Sequence, residues 1–267
     1  MQAKIAIIGG TGVYDPRMLD DVREEIIQTK FGEAAVKLGA YQGIAVAFLA
    51  RHGAGHAVPP HKINYRANIR ALKELGVEKV IATAAVGSLN IDMKPGDFVL
   101  VDQFIDFTKN RVGTFFEGGE GVVHVDMTDP YCNEVRKVLE QAGEGLPVNI
   151  HPKGTYICTE GPRFETPAEI RMHRQFGGDL VGMTSVPEVV LAREMEMCYA
   201  TIAMVTNFAA GISPNKLTHQ EVVEVMARNA ANLRKLIMQA ISSLDADEPC
   251  ECQSALEEGP VKVGSEK

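Results

Sequence analysis

Short apolar runs recur along the chain at residues 4–8, 43–50, 80–85, 98–101, 155–158 and 199–206. Each has the length of a buried strand and closes on a glycine, an asparagine or another turn residue. Segments with helical spacing lie between and after them, at 64–74, 133–142, 167–176, 186–196 and 218–244. Strands alternating with helices specify an α/β domain, in which ligands collect beyond the strand ends. The functional residues are therefore sought where each apolar run stops.

The chain has 267 residues and 45% apolar composition, enough for a substantial core. No repeat or linker divides it. Its net charge of −8 argues against a nucleic-acid or acidic-membrane partner, while leaving room for a small local phosphate site. The apolar run at the start is too short for a signal peptide or a membrane span, so a soluble cytoplasmic protein is expected. Cys132, Cys158, Cys198, Cys250 and Cys252 are irregularly spaced and read as free thiols. Cys250 and Cys252 form C-x-C with no second pair near in sequence, so no metal site is expected. From Asp245 the chain turns polar and acidic, and residues 245–267 are expected to be a mobile tail to a domain spanning 1–244.

Gly9-Gly10-Thr11-Gly12 follows the first run, and such a loop lets backbone N–H groups approach a phosphate or simply makes a tight turn. Asp15 stands where the dinucleotide fingerprint needs its third glycine, which counts against a nicotinamide oxidoreductase. ARHGAGHAVPPH (50–61) carries Arg51, His52, His56 and His61. Its glycines and prolines disfavour the helix that would align a His-x3-His metal pair; an arginine beside a histidine suits an oxyanion better, and a solvated surface turn is the plain alternative. TAAVGSL (83–89) permits close backbone approach to a ligand, but on its own it reads more readily as a plain packing loop. In VGMTSVPEVVLARE (181–194), Ser185 and Glu188 have the spacing of a capping box, leaving Met183 and Thr184 to be explained. Asn207 ends the most apolar run with an amide able to donate and accept, which suits a heterocycle, although a turn asparagine reads the same way. EGPRFET (160–166) sets Arg163, Phe164 and Glu165 side by side. The ring can stack on a base and the carboxylate can accept from a ring N–H; the plain alternative is an acid at a helix start. No G-x-S-x-G elbow is present.

IGGTGVYD, ARHGAGH, KINYRANIRALKELG, TAAVGSL, PGDFVLVDQFID, EGPRFET and GMTSVPEVVLARE occur in this order. Together they resemble the trimeric purine nucleoside phosphorylases, most closely the methylthioadenosine phosphorylase branch, from about Lys4 to about Leu244. The resemblance implies a single α/β domain with a distorted mixed central sheet flanked by helices. It implies phosphorolysis of a purine nucleoside, with inorganic phosphate as co-substrate and no cofactor or metal, by a homotrimer or a hexamer built from two trimers. By position, Thr11, Arg51, His52 and Thr184 resemble the phosphate ligands, and Ala84 and Ala85 the strand-end pair that binds phosphate through backbone N–H. Met183 matches the residue under the ribose and Phe164 the ring against the base. His124 matches a residue reaching into a neighbouring subunit's site, and His219 one aimed at the 5′-hydroxyl; Val222 joins the substrate-binding set.

Three positions depart from that branch. Glu165, Asn207 and Ala209 replace its usual serine and two aspartates, and look instead like the inosine- and guanosine-cleaving enzymes. The resemblance therefore implies a 6-oxopurine nucleoside phosphorylase with Glu165 and Asn207 as the base-activating pair. Methylthioinosine or methylthioadenosine is the nearest alternative substrate, and a non-catalytic nucleotide-binding module the alternative of another class. On this reading Arg51→Ala is expected to weaken phosphate binding and leave the fold intact.

Overall fold

The computed structural model describes residues 2–9, 13, 18–53, 55, 57–118, 121–213 and 219–257, apart from the side chains of His219 and Glu221. The strands are β1 (Ile5–Gly9), β2 (Asp20–Thr29), β3 (Gly32–Tyr41), β4 (Ile44–Ala50), β5 (Lys79–Ser88), β6 (Phe98–Leu100), β7 (Gln103–Phe107), β8 (Ile150–His151), β9 (Thr155–Thr159), β10 (Leu180–Gly182) and β11 (Cys198–Phe208). The helices are α1 (Tyr65–Glu74), α2 (Asn133–Ala142), α3 (Pro167–Gln175), α4 (Ser185–Glu194) and α5 (His219–Ser243). One mixed sheet runs β2-β3-β4-β1-β5-β10-β9-β7, with β11 joining β5 to β6 and β8. This is the α/β architecture read from the alternation of runs, and every helix ends within two residues of its expected limits.

Helices cover both faces. Ile69 and Leu72 of α1 and Val189 and Leu191 of α4 enter one buried cluster with Ala6, Ile8, Val80 and Ala82. Val135 and Leu139 of α2, and Leu236, Ile237 and Ile241 of α5, enter a second with Ile5, Ile7, Ile81 and Ile202. Alternate residues of β1 and β5 thus supply opposite cores, as a sheet buried on both sides requires. Each fully buried aliphatic side chain contributes about 1.5–3 kcal/mol relative to exposure.

β5 is the branch point. Along its first half, β1 pairs with it in parallel, Ile8 lying opposite Ala82. Along its last two residues, β10 pairs with it antiparallel, Val181 lying opposite Gly87. β11 accompanies it on the other side throughout. Residues 83–86 therefore have no strand partner on one side.

The segment after α5 departs from the expected mobile tail. Lys79, which is buried, donates to the carbonyl oxygens of Asp245 and Glu248. Gln253 donates to Glu78 at 3.0 Å, and the Leu256 N–H donates to Glu196 at 3.2 Å. Cys252 is buried in the second core. Residues 245–257 are thus docked by polar contacts that composition does not reveal; 258–267 lie outside the described residues. Among the described residues no helix is long and apolar enough to cross a membrane.

Candidate active site

The partnerless interval of β5 is where the site residues gather. Thr83 O accepts from Arg51 Nη1 at 2.8 Å, so the backbone groups of Thr83 face the open side of the interval. Side-to-side alternation then turns the N–H of Ala85 the same way, and that of Ala84 toward β11. Ala85 is also the one exposed residue of β5. Of the expected pair, Ala85 is the one placed to offer its N–H to an anion.

Two strand ends close on this interval. From one side comes the end of β1, where the N–H of Arg51 donates to Gly9 O and continues the β1–β4 pairing. Thr11 lies outside the described residues. From the other side comes β10, which delivers Met183 and Thr184. Thr184 is buried at the N-cap of α4, and its hydroxyl does not cap the helix. The backbone of Gly161, at φ +66°, packs against Met183: a Cβ there would stand 2.6 Å from its sulfur. Only glycine adopts that backbone cheaply and admits that contact.

Arg51 is buried and gives Nε and Nη2 to the two oxygens of Glu188, each at 2.7 Å. Burial opposes its charge, but the Glu188 carboxylate outweighs that and holds the guanidinium above its ordinary pKa. Tyr199 also donates to Glu188 at 2.7 Å. For Arg51 this pairing narrows what it can offer the phosphate expected there. Its fork is spent on Glu188, which leaves at most one N–H on each Nη for an anion. The pairing corrects the capping box: Glu188 turns inward to Arg51, and Ser185 Oγ pairs with Tyr131 OH at 2.6 Å. His52 is buried with Nδ1 2.8 Å from Val58 O, so Nδ1 carries the proton; Nε2 donates only when the ring is doubly protonated.

EGPRFET resolves into separate tasks. Thr166 caps α3 and forms the reciprocal box with Glu169, with Pro167 in the first turn. Arg163 forks onto Glu169 at 2.9 and 2.7 Å, and with these bonds Glu169 titrates down at about 2. Capping is thus complete without Glu165, whose carboxylate accepts from Thr159 Oγ1 at 2.7 Å and is half-buried. Phe164 is 45% exposed, a ring with a face to offer. Arg111, unremarked in the sequence, holds this loop to α4 by donating to Thr159 O, Glu160 O and Val186 O.

Asn207 is buried at the end of β11. Its Oδ1 accepts from Thr206 Oγ1 at 2.8 Å and its Nδ2 donates to Phe208 O at 2.9 Å, leaving a second N–H. A Cβ on Gly87 would lie 3.2 Å from that Nδ2, so the bare glycine makes space beside the amide. Ala209 packs with Leu89, Ile157, Ile170 and Val181. Val222 is half-buried on α5, and the His219 side chain lies outside the described residues. His124 is exposed, in the stretch that follows Gly121.

The model of the phosphorylase superfamily matches residues 4–242. The chain belongs to that superfamily. A probable 6-oxopurine nucleoside phosphorylase of Thermococcus kodakarensis is 59% identical over 95% of this chain and 97% of its own length. The 6-oxopurine nucleoside phosphorylase of Pyrococcus furiosus is 57% identical over the same shares. Among solved structures, a methylthioadenosine phosphorylase from an antarctic soil metagenomic library superposes with a TM-score of 0.92 at 42% identity, covering 97% of this chain and 93% of that one. In this superfamily member, the partners that sequence reading missed are Glu188, Tyr199 and Arg111. No local spacing flags any of them; only the fold brings Glu188 to a residue 137 positions earlier.

Proposed function

We propose that the chain is a purine nucleoside phosphorylase that cleaves 6-oxopurine nucleosides such as inosine and guanosine with inorganic phosphate. The observation that carries this reading is the Glu165 carboxylate, half-buried beside an exposed ring and relieved of any capping task by Thr166 and Glu169. A 6-oxopurine presents N1–H, which a carboxylate accepts; the bare N1 of a 6-aminopurine repels it. The naming of the relatives from Thermococcus kodakarensis and Pyrococcus furiosus supports the same substrate class.

Phosphate is read at the Ala85 N–H, the Thr184 hydroxyl and the remaining N–H groups of Arg51. From there it attacks the anomeric carbon as the glycosidic bond breaks. Positive charge grows on the ribosyl ring beside the phosphate, and negative charge on the departing purine. Met183 lies under the sugar and Phe164 against the base. Asn207, with its second N–H, donates to O6 or N7 of the base, so the charge on the leaving group is met where it develops. This chemistry uses phosphate as co-substrate and calls for no organic cofactor.

Incubation with inosine is the test. Hypoxanthine and ribose 1-phosphate are expected only when phosphate is present, and release of base without phosphate overturns the reading. Methylthioinosine as a second substrate reports the 5′ preference: faster cleavage than inosine assigns the chain to 5′-methylthio nucleosides.

Self-association belongs to the same reading. Phe164, Met172 and Phe176 are large apolar residues left 36–57% exposed around α3, and the exposed His124 stands ready to complete a neighbour's ribose site. Sedimentation is expected to find a trimer or a hexamer as the active species, with His124→Ala raising KM for nucleoside. A fully active monomer contradicts it.

A further inference from the structure

The loop that carries Glu165 does not by itself fix the direction of its carboxylate. Its neighbours in the chain are engaged elsewhere: Thr166 pairs with Glu169 at the start of α3, and Arg163 forks onto Glu169. Among the described residues, the one donor to Glu165 is Thr159, whose Oγ1 lies 2.7 Å from Oε1. Thr159 is the last residue of β9. Its hydroxyl also lies 3.4 Å from Gly182 O. It has one proton to give, and the shorter, charge-assisted contact takes it.

The end of β9 is itself firmly held. Thr159 lies opposite Phe107 in the parallel pairing with β7, and Cys158 before it lies opposite Gly182 of β10. Arg111 donates to the carbonyl oxygens of Thr159 and Glu160 at 3.3 and 2.8 Å. Cys158 turns its sulfur to the backbone of Val186, so strand alternation turns the Thr159 side chain to the opposite face. Ile157 shares that face and packs with Ala209. A β-branched side chain has few χ1 choices, so the hydroxyl keeps the direction that the strand gives it.

We propose that Thr159 is a positioning residue for base recognition: it fixes Oε1 of Glu165 and leaves Oε2 for the N1–H of a 6-oxopurine. The inference rests on the substrate reading given above. The hydroxyl touches no atom of the base on this reading; it acts through Glu165. A glutamate left to itself must give up side-chain freedom when the base arrives, and that loss weakens binding. Thr159 removes the freedom beforehand, by tying a loop carboxylate to the end of a paired strand. Its effect is therefore confined to substrates that offer Glu165 a proton. Adenosine, with a bare N1, gains nothing from a carboxylate held in that direction. A threonine that merely completed the strand end would serve both nucleosides alike.

The test is kcat/KM for inosine and for adenosine at saturating phosphate, in the full-length protein and its variants. Valine at 159 keeps the branched shape and removes the donor; serine keeps the donor. Thr159→Val is expected to lower the inosine-to-adenosine ratio about 10-fold, the scale of one hydrogen bond to a charged group. Thr159→Ser should restore most of that ratio. In a Glu165→Ala background, Thr159→Val should no longer change the ratio, because the hydroxyl then has nothing to hold. Should the valine variant fail to fold, Thr159→Ala takes its place in the same comparison. An unchanged ratio in the folded variant overturns the proposal, as does an equal loss in the Glu165→Ala background; either result leaves the substrate reading standing. Wild-type protein that does not cleave inosine with phosphate overturns the substrate reading, and this inference with it.

Discussion

Arg51→Ala is expected to lower stability by about 3–5 kcal/mol, because it leaves the Glu188 carboxylate buried without its cation. Glu188 is fully buried and takes three hydrogen bonds, two of them from Arg51. Sequence alone suggested an intact fold and a defect confined to phosphate; the ion pair joins the two effects. They separate in a double variant. Arg51→Met with Glu188→Gln removes both charges while the new amide oxygen still accepts from Tyr199, so more than half of the lost stability should return. Phosphate saturation should not return with it. Urea unfolding of the three proteins is the measurement. A single variant within about 1 kcal/mol of wild type would show that Arg51 does not carry Glu188.

The second large effect lies in the base pocket. Inosine is expected to exceed adenosine in kcat/KM by roughly 10- to 100-fold for each mismatched polar edge, as an unpaired buried group costs about 1–3 kcal/mol. Glu165→Ser should remove most of the discrimination at N1, and Asn207→Asp should cut inosine cleavage while favouring an exocyclic amine. Adding Ala209→Asp is a different matter. Ala209 packs among Leu89, Ile157, Ile170 and Val181, so a carboxylate there must be desolvated before it meets a base. The triple variant is therefore expected to gain preference for 6-aminopurines but to lose stability relative to the double. Steady-state kinetics at saturating phosphate decide it, and a wild-type preference for adenosine would refute the assignment of Glu165.

What the sequence disclosed follows from how local the determinant is. β1, β4, β5, β9 and β11 are buried apolar runs and announce themselves, as does α3 through its proline and capping box. The β2–β3 hairpin was not anticipated: β2 carries four acids and an arginine on a mostly exposed strand, and its pairing with β3 supplies what its composition lacks. β7, β8 and β10 have two to five residues and exist through their neighbours. In the site, Phe164 and Asn207 were legible because each ends or follows an apolar run. The partners of Arg51 were not, because they depend on long-range closure of the sheet.

That closure also shapes how the chain is made. β5 is complete once residue 88 has been synthesised, yet its partner β11 begins only at residue 198. At about 5–20 residues per second, the ribosome adds the intervening segment in roughly 5–20 s. Through that interval the nascent chain holds an apolar strand, KVIATAAVGS, with one long edge unpaired and no proline or internal charge to guard it. Until β11 arrives, that edge is the nascent chain's aggregation hazard, and slower passage through residues 89–198 leaves it open for longer.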